Sequence, residues 1–272
     1  MLNIALVTQD DPFYLPVFFK AFKEEIKKQQ LEDVFRIHGI AIQAPLGDKK
    51  LSDLVSRMYH FYGPANFLQV GTKYVTWKIL NAIAVKVFKG QFPNLFSVEH
   101  FAEKNNWPVL KNVDVNSNDF FEFVRSKDLD LLVSVGGSQK FKKRILETPK
   151  YGCINIHNSK LPKFRGMLPT FWALLNIEND PVSATTIFKM DEELDSGPII
   201  LQDEFLLQKE ESLDYLIKRT KRKGAKLMIE AIKKYQTGEP ELQPNDPSEA
   251  TYFSFPGKED IKKFRERGFK LL

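Results

Sequence analysis

Residues 154–166 read INIHNSKLPKFRG, and residues 191–197 read DEELDSG. The run Gly152-Cys153-Ile154-Asn155-Ile156-His157 has the composition of a short buried strand whose polar residues emerge at its carboxyl end. Residues two apart on a strand project from one face, so the Asn155 amide and the His157 imidazole point the same way. Asp195 follows in a loop closed by Gly197, far enough along for a helix and a strand to return the chain to the same edge. A carboxylate beside an imidazole fixes its tautomer and keeps it basic, and a neighbouring amide donor can hold a developing oxyanion. Such a set suits acyl-type transfer without a covalent intermediate and without a Ser or Cys nucleophile. An Asn-x-His pair by itself is also an ordinary strand end with satisfied side chains, and the residues alone leave both readings open.

Outward from this stretch, strands and helices alternate. Asp130–Val135 reads as a strong central strand, with Gly136-Gly137-Ser138 at its carboxyl end, where open parallel sheets bind ligands. Before it come a short helix over Glu99–Asn105, an edge strand over Val109–Val113, and a helix through Phe120, Phe121 and Val124 with Asn118 as its expected N-cap. The chain opens with an apolar strand, Asn3–Val7, of the kind covered on both faces in a parallel sheet. A polar loop, Thr8–Pro12, leads to a helix from about Tyr14 to Lys28, with Phe18, Phe19, Phe22 and Ile26 at helical spacing. Arg36–Gln43 is the second strand. No Gly-x-Gly-x-x-Gly follows the first, so a dinucleotide is not indicated. Downstream, Thr170–Ile177 reads as a helix and Val182–Phe188 and Ile199–Phe205 as strands. Ser212 caps a long helix ended by Gly238. Lys218, Arg219, Lys221, Arg222, Lys223 and Lys226 on that helix form either a solvated face or a polyanion patch.

The fold class is therefore α/β: a Rossmann-like, mostly parallel sheet with helices on both faces, a helical insertion and a short C-terminal tail. The expected domains are a catalytic unit over 1–242, with the insertion at about 51–96, and a linker and tail over 243–272 that contains Pro and Asp at its start. With 272 residues and 43% hydrophobic content, the chain can bury a full core. Its single cysteine, Cys153, excludes an internal disulfide and fits a reducing compartment. The start, MLNIALVTQDD, has the form of neither a signal nor a transit peptide. His38, His60, His100 and His157 show no metal-ligand spacing with Cys153, so no metal is expected. A net charge of +5 and a pI of about 9.0 are compatible with an anionic acceptor, a weak signal shared by many proteins.

The region 51–96 stands apart. After Asp53 there is no acid until Glu99, while Arg57, Lys73, Lys78, Lys86 and Lys89 are interleaved with many aromatic and aliphatic residues. The lysines interrupt it too often for a transmembrane span, which needs ~20 mostly apolar residues in a row. It reads as one or two helices broken at Gly63-Pro64. Two roles compete: a helical flap with its lysines in water, or a basic amphipathic surface for an anionic membrane or a lipid-linked acceptor.

The run from Asp130 to Gln202 resembles the catalytic core of the folate-dependent formyltransferases, a family with methionyl-tRNA, glycinamide ribonucleotide and nucleotide-sugar acceptors. The matching pieces, in order, are Asn155-x-His157, Ser159-x-Leu161-Pro162, Arg165-Gly166, Pro169, Trp172-Ala173-Leu174, Asp191 and Leu194-Asp195-Ser196-Gly197. The resemblance implies 10-formyltetrahydrofolate as co-substrate and Asn155, His157 and Asp195 as catalytic residues. It implies a folate site along Val135, Gly136, Gly137, Ser138, Glu192, Glu193 and Leu194, and acceptor contacts from Asp10, Ser159, Arg165 and Gly166. Arg165 has two readings, an anchor for an acceptor phosphate or a brace for its own loop. Relatives usually carry a more apolar run where this chain has Gly136-Gly137-Ser138-Gln139-Lys140. The glycine-rich phosphate loop of the glycinamide ribonucleotide enzymes is missing after the first strand. An amino sugar on a nucleotide or lipid carrier is the first acceptor implied, because the tail is short and the insertion basic. The alternatives are methionyl-tRNA, hydrolysis of the same folate, and a catalytically silent folate- or nucleotide-binding protein. The expected location is cytoplasmic, or peripheral at the inner face of a membrane.

Overall fold

A computed structural model describes residues 1–43, 51–88 and 97–272. The last part of the expected insertion, 89–96 with Lys89, lies outside these residues. The elements run β1 (Leu2–Gln9), α1 (Leu15–Gln29), β2 (Phe35–Gln43), α2 (Leu51–Phe88), α3 (Val98–Lys104), β3 (Val109–Lys111), α4 (Asn118–Ser126) and β4 (Leu131–Val135). They continue through α5 (Lys143–Leu146), β5 (Cys153–His157), β6 (Arg165–Gly166), α6 (Pro169–Leu175), β7 (Val182–Lys189), β8 (Ile199–Leu206), α7 (Leu213–Lys234), β9 (Tyr252–Phe253) and α8 (Lys258–Glu266).

Seven strands form one sheet in the order β3-β2-β1-β4-β5-β7-β8. The pairs from β3 to β5 are parallel, and β7 and β8 join antiparallel. The expected mostly parallel sheet is what forms. Alternate residues of β1 enter two separate cores, as period-2 geometry requires. Ile4 and Leu6 pack with Phe18, Phe22 and Met228 beneath α1 and α7, while Ala5 and Val7 pack with Phe120, Val124 and Ile145 beneath α4 and α5. Gly224 sets the approach of α7 to β5: a Cβ there would overlap Ile156 Cδ1.

Three local outcomes differ from the sequence expectations. Ser117, not Asn118, caps α4, its Oγ accepting from Phe120 N at 3.2 Å, and Asn118 Oδ1 instead accepts from Arg144 at 2.6 Å. Half of the basic run on α7 is paired with acids, through Lys218–Asp214, Arg219–Glu211 and Lys223–Asp203. The stretch 243–272 folds back onto the body rather than trailing from it. There β9 pairs in parallel with β6, and Ile261, Phe264, Phe269 and Leu271 join Phe171, Leu174 and Leu216 in a third core. Lys270 and Leu271 carbonyls accept from the first two N–H groups of α7, Leu213 and Asp214, donors that a helix start leaves without intrahelical partners.

α2 bends at Gly63 (φ 72°, ψ 169°), as Gly63-Pro64 in the sequence suggests. Pro64 suits the first turn of the second arm because it has no N–H to leave unpaired. The bend at Gly63 also interrupts the ladder at the end of the first arm, where Arg265 of α8 donates to Phe61 O at 3.0 Å.

Candidate active site

Asn155 and His157 leave β5 on one face, between Ser134 of β4 and Phe188 and Thr186 of β7. His157 is 5% exposed, and its Nε2 lies 2.8 Å from the Phe164 carbonyl. A carbonyl only accepts, so Nε2 carries the proton and the lone pair of the neutral ring is on Nδ1. That nitrogen lies 3.5 Å from Asp195 Oδ2. A proton taken up at Nδ1 would therefore face the carboxylate. The Asn155 side chain has no hydrogen-bond partner among the described residues, and its Oδ1 is fully enclosed.

Asp195 is held in the left-handed region (φ 54°), as are Phe164 (φ 59°) and Leu168 (φ 50°) in the facing loop. Non-glycine residues there are costly and persist only where their surroundings hold them. Two contacts do this for Asp195. Gly166 N donates to its Oδ2 at 2.9 Å, and the Asn245 amide donates to the carbonyls of Asp195 and Gly197, each at 2.9 Å. Asn245 Oδ1 in turn accepts from Arg165 Nη2 at 2.8 Å. Arg165, 8% exposed, is thus the brace of its loop, through an amide rather than a carboxylate.

Asn155, His157, Gly166 and Asp195 line a cavity of about 810 Å³ at the carboxyl end of β4 and β5. A drug-sized ligand needs ~300–1,000 Å³. Its walls differ in charge. Asp191, Glu193 and Asp195 lie on the β7–β8 connection, while Arg57 of α2 and Lys221 of α7 also line the cavity. Lys221 is 8% exposed, with no ion-pair or hydrogen-bond partner among the described residues. Burial pushes its ammonium down to about 8, with the Asp11 carboxylate pulling the other way. Asp11 accepts from the N–H groups of Phe13, Tyr14 and Leu15 at 2.9–3.0 Å, so the positive end of α1 is already closed by a carboxylate. The Gly136 turn is braced too: Gln9 donates to Gly136 O at 2.6 Å, and Gln43 Oε1 accepts from Ser138 N at 2.6 Å.

Of the residues expected at the site, Asn155, His157, Asp195, Gly136, Gly137, Ser138, Gly166, Glu193 and Leu194 line this cavity. Val135, Glu192, Asp10, Ser159 and Arg165 are not among its lining. Asp10 accepts from Val98 N at the start of α3, at 2.9 Å, and the Ser159 side chain is fully buried. Val135 gives its carbonyl to Thr8. Lys221 escaped notice inside a run of cations, although Ile217, Lys221, Gly224 and Met228 fall on one buried stripe of α7. Asn245 and the cavity-lining Tyr252 and Phe255 lie in a stretch that reads as a linker and tail. Among the described residues no group of three His, Cys, Asp or Glu could hold a metal ion.

Residues 80–232 match the model of the family described as formyl transferase. The chain is 38% identical over 163 residues to a methionyl-tRNA formyltransferase of Kosmotoga olearia, covering 60% of this chain and 52% of that protein. It is 32% identical over 207 residues to one of Thermotoga neapolitana, covering 74% and 66%. The chain thus spans about half the length of curated relatives it matches. A sugar N-formyltransferase from a Shewanella species superposes with a TM-score of 0.59 at 15% identity, over 97% of this chain and 87% of that one. A glycinamide ribonucleotide transformylase from Symbiobacterium toebii gives 0.58 at 16%, over 90% and 95%. At such identities these superpositions speak to the fold.

Proposed function

The chain belongs to the formyl transferase family, and from that premise we propose that it moves a formyl group from 10-formyltetrahydrofolate to a primary amine. The observation that carries this reading is the His157–Asp195 pair at 3.5 Å, sharing a cavity with the unpartnered Asn155 amide. The amine attacks the formyl carbon, and the bond from that carbon to the folate nitrogen breaks. Asn155 donates to the oxygen that becomes negative between those events. The proton lost by the amine is taken up at His157 Nδ1 and Asp195, and returned to the departing folate nitrogen. Asp195 and the Phe164 carbonyl together fix the ring, so Nδ1 is the nitrogen that works.

The cavity fits the folate in two respects. Gly136 and Gly137 bring bare backbone to its edge, and a Cβ on Gly137 would come within 3.2 Å of Gln43 and Ser134. Phe141, Phe188, Met190 and Leu194 supply apolar lining for a flat ring. The acceptor we favour is an amino sugar on a nucleotide or lipid carrier. Arg57 and Lys221 offer positive charge to a phosphate in the carrier. Asp11 fills the α1 N-terminus where a ribonucleotide phosphate would compete with it, and three of the α7 cations that could track a polynucleotide, Lys218, Arg219 and Lys223, are paired with acids. Methionyl-tRNA is the second acceptor, favoured by the names of the sequence relatives.

The test follows tetrahydrofolate release from 10-formyltetrahydrofolate with and without nucleotide-linked amino sugars or methionyl-tRNA. Release that requires an amine supports transfer. Release without one means hydrolysis, and binding without release means a silent folate protein; either outcome overturns the reading.

A further inference from the structure

The second arm of α2 carries an apolar stripe that nothing in the described protein covers. Trp77 is buried on the inner side of this arm, and Tyr74 packs its ring 6.3 Å from that of Phe13 in the β1–α1 loop. Those two contacts fix which side of the helix faces the body. At 100° per residue, Leu68, Val75 and Ile79 fall together on the opposite side. They are the most exposed large apolar residues of the arm, at 69%, 56% and 55%. Ile83, 43% exposed, widens the stripe beside Ile79, and Leu80, 46% exposed, lies beyond it on the same side, toward the body. Isolated exposed apolar residues are ordinary, but a stripe of them on one helix face marks an interaction surface.

The charges beside the stripe select its partner. Lys78 stands at one edge of it, over the Tyr74 ring, while Lys73 lies on the body side, over Phe13. No acidic residue occurs from 54 to 98. A second copy of the same face would set lysine against lysine with no carboxylate to relieve them. A nucleic acid would have no use for the aliphatic stripe. An anionic bilayer surface meets both features, taking the aliphatic side chains into its acyl boundary and the ammonium groups among its headgroups.

We propose that the 65–83 arm of α2 docks the protein on anionic lipid surfaces, lying in the plane of the interface. Among the described residues no helix is long and apolar enough to cross a membrane, so the contact is peripheral. The first arm of the same helix lines the cavity through Asp53, Arg57 and Met58, so the docking arm and one cavity wall belong to one element. If the proposed acceptor chemistry also holds, a lipid-carried amino sugar is the acceptor this geometry serves.

The experiment sediments the full chain with phosphatidylcholine vesicles, with and without phosphatidylglycerol. Binding is expected only with the anionic lipid and should weaken as salt is raised. Val75→Glu/Ile79→Glu should abolish it. Lys78→Gln should weaken it about fivefold, and Lys73→Gln, on the body side, should weaken it less. Circular dichroism of the variants should match wild type, since none of these side chains is buried. Equal sedimentation with neutral lipid, no sedimentation, or a dimer that Val75→Glu/Ile79→Glu dissolves would each overturn the proposal. None of these outcomes depends on whether the protein transfers formyl groups, so either idea can fail without the other.

Discussion

His157 is a residue whose partners leave it little choice. Its Nε2 is tied to a carbonyl, and its Nδ1 is left to Asp195. Asp195→Asn keeps an acceptor for Gly166 N but cannot share the proton, so turnover should fall about 10²–10³-fold. Asn155→Ala and His157→Ala should lose at least as much, and unchanged thermal melts would confine the effect to chemistry. Near-wild-type turnover in any two of the three would remove the assignment. Cys153 is a control of the opposite kind. Burial pushes its thiol well above the ordinary range, so it should resist a thiol reagent at neutral pH until the protein is unfolded. The Asn155, His157 and Asp195 set was legible because strand periodicity and motif order carried it. Lys221 was not, because a cation among cations reads as solvent-facing until its phase on the helix is checked.

At the scale of elements, the departures came from partners distant in sequence. The break in α2 could be read from Gly63-Pro64, but its repair could not, since the donor to Phe61 O is Arg265, some two hundred residues on. Arg265→Ala should cost about 1–2 kcal/mol of stability by stranding that carbonyl, measured by urea unfolding. The short strands β6 and β9 were equally hidden. Two-residue strands have no periodicity, and each exists because the other is there. Gly224, by contrast, sits in a helix for a steric reason. Gly224→Val should force α7 off Ile156, costing about 1–3 kcal/mol and displacing β5 beneath the His157–Asp195 pair.

At the scale of the whole molecule, one buried charge shapes the response to pH. The Lys221 ammonium has its pKa lowered to about 8 on folding, from the usual 10.5. The folded state therefore holds fewer protons than the unfolded one between those values, and stability should rise with pH across about 8–10.5. Below about 8 the lysine is charged in both states and its full penalty applies, about 3 kcal/mol for such a shift. Lys221→Met should flatten that rise and stabilise the protein at neutral pH, as pH-dependent melts would show. The mostly parallel sheet with both faces covered follows from apolar patterning, which is why it could be anticipated. The third core could not, because it assembles α6, α7 and α8 from segments that are individually unremarkable.

Asn245 and the β9 strand have a consequence for the order of events in the cell. Ribosomes make the amino end first, so Asn155, His157 and Asp195 emerge well before the residues that pin the loops around them. Until Asn245 and Tyr252-Phe253 leave the exit tunnel, the carboxylate loop lacks its amide clamp and the Arg165-Gly166 ribbon lacks its neighbour. A polypeptide abandoned during translation would hold all three side chains without the contacts that fix the loops around them.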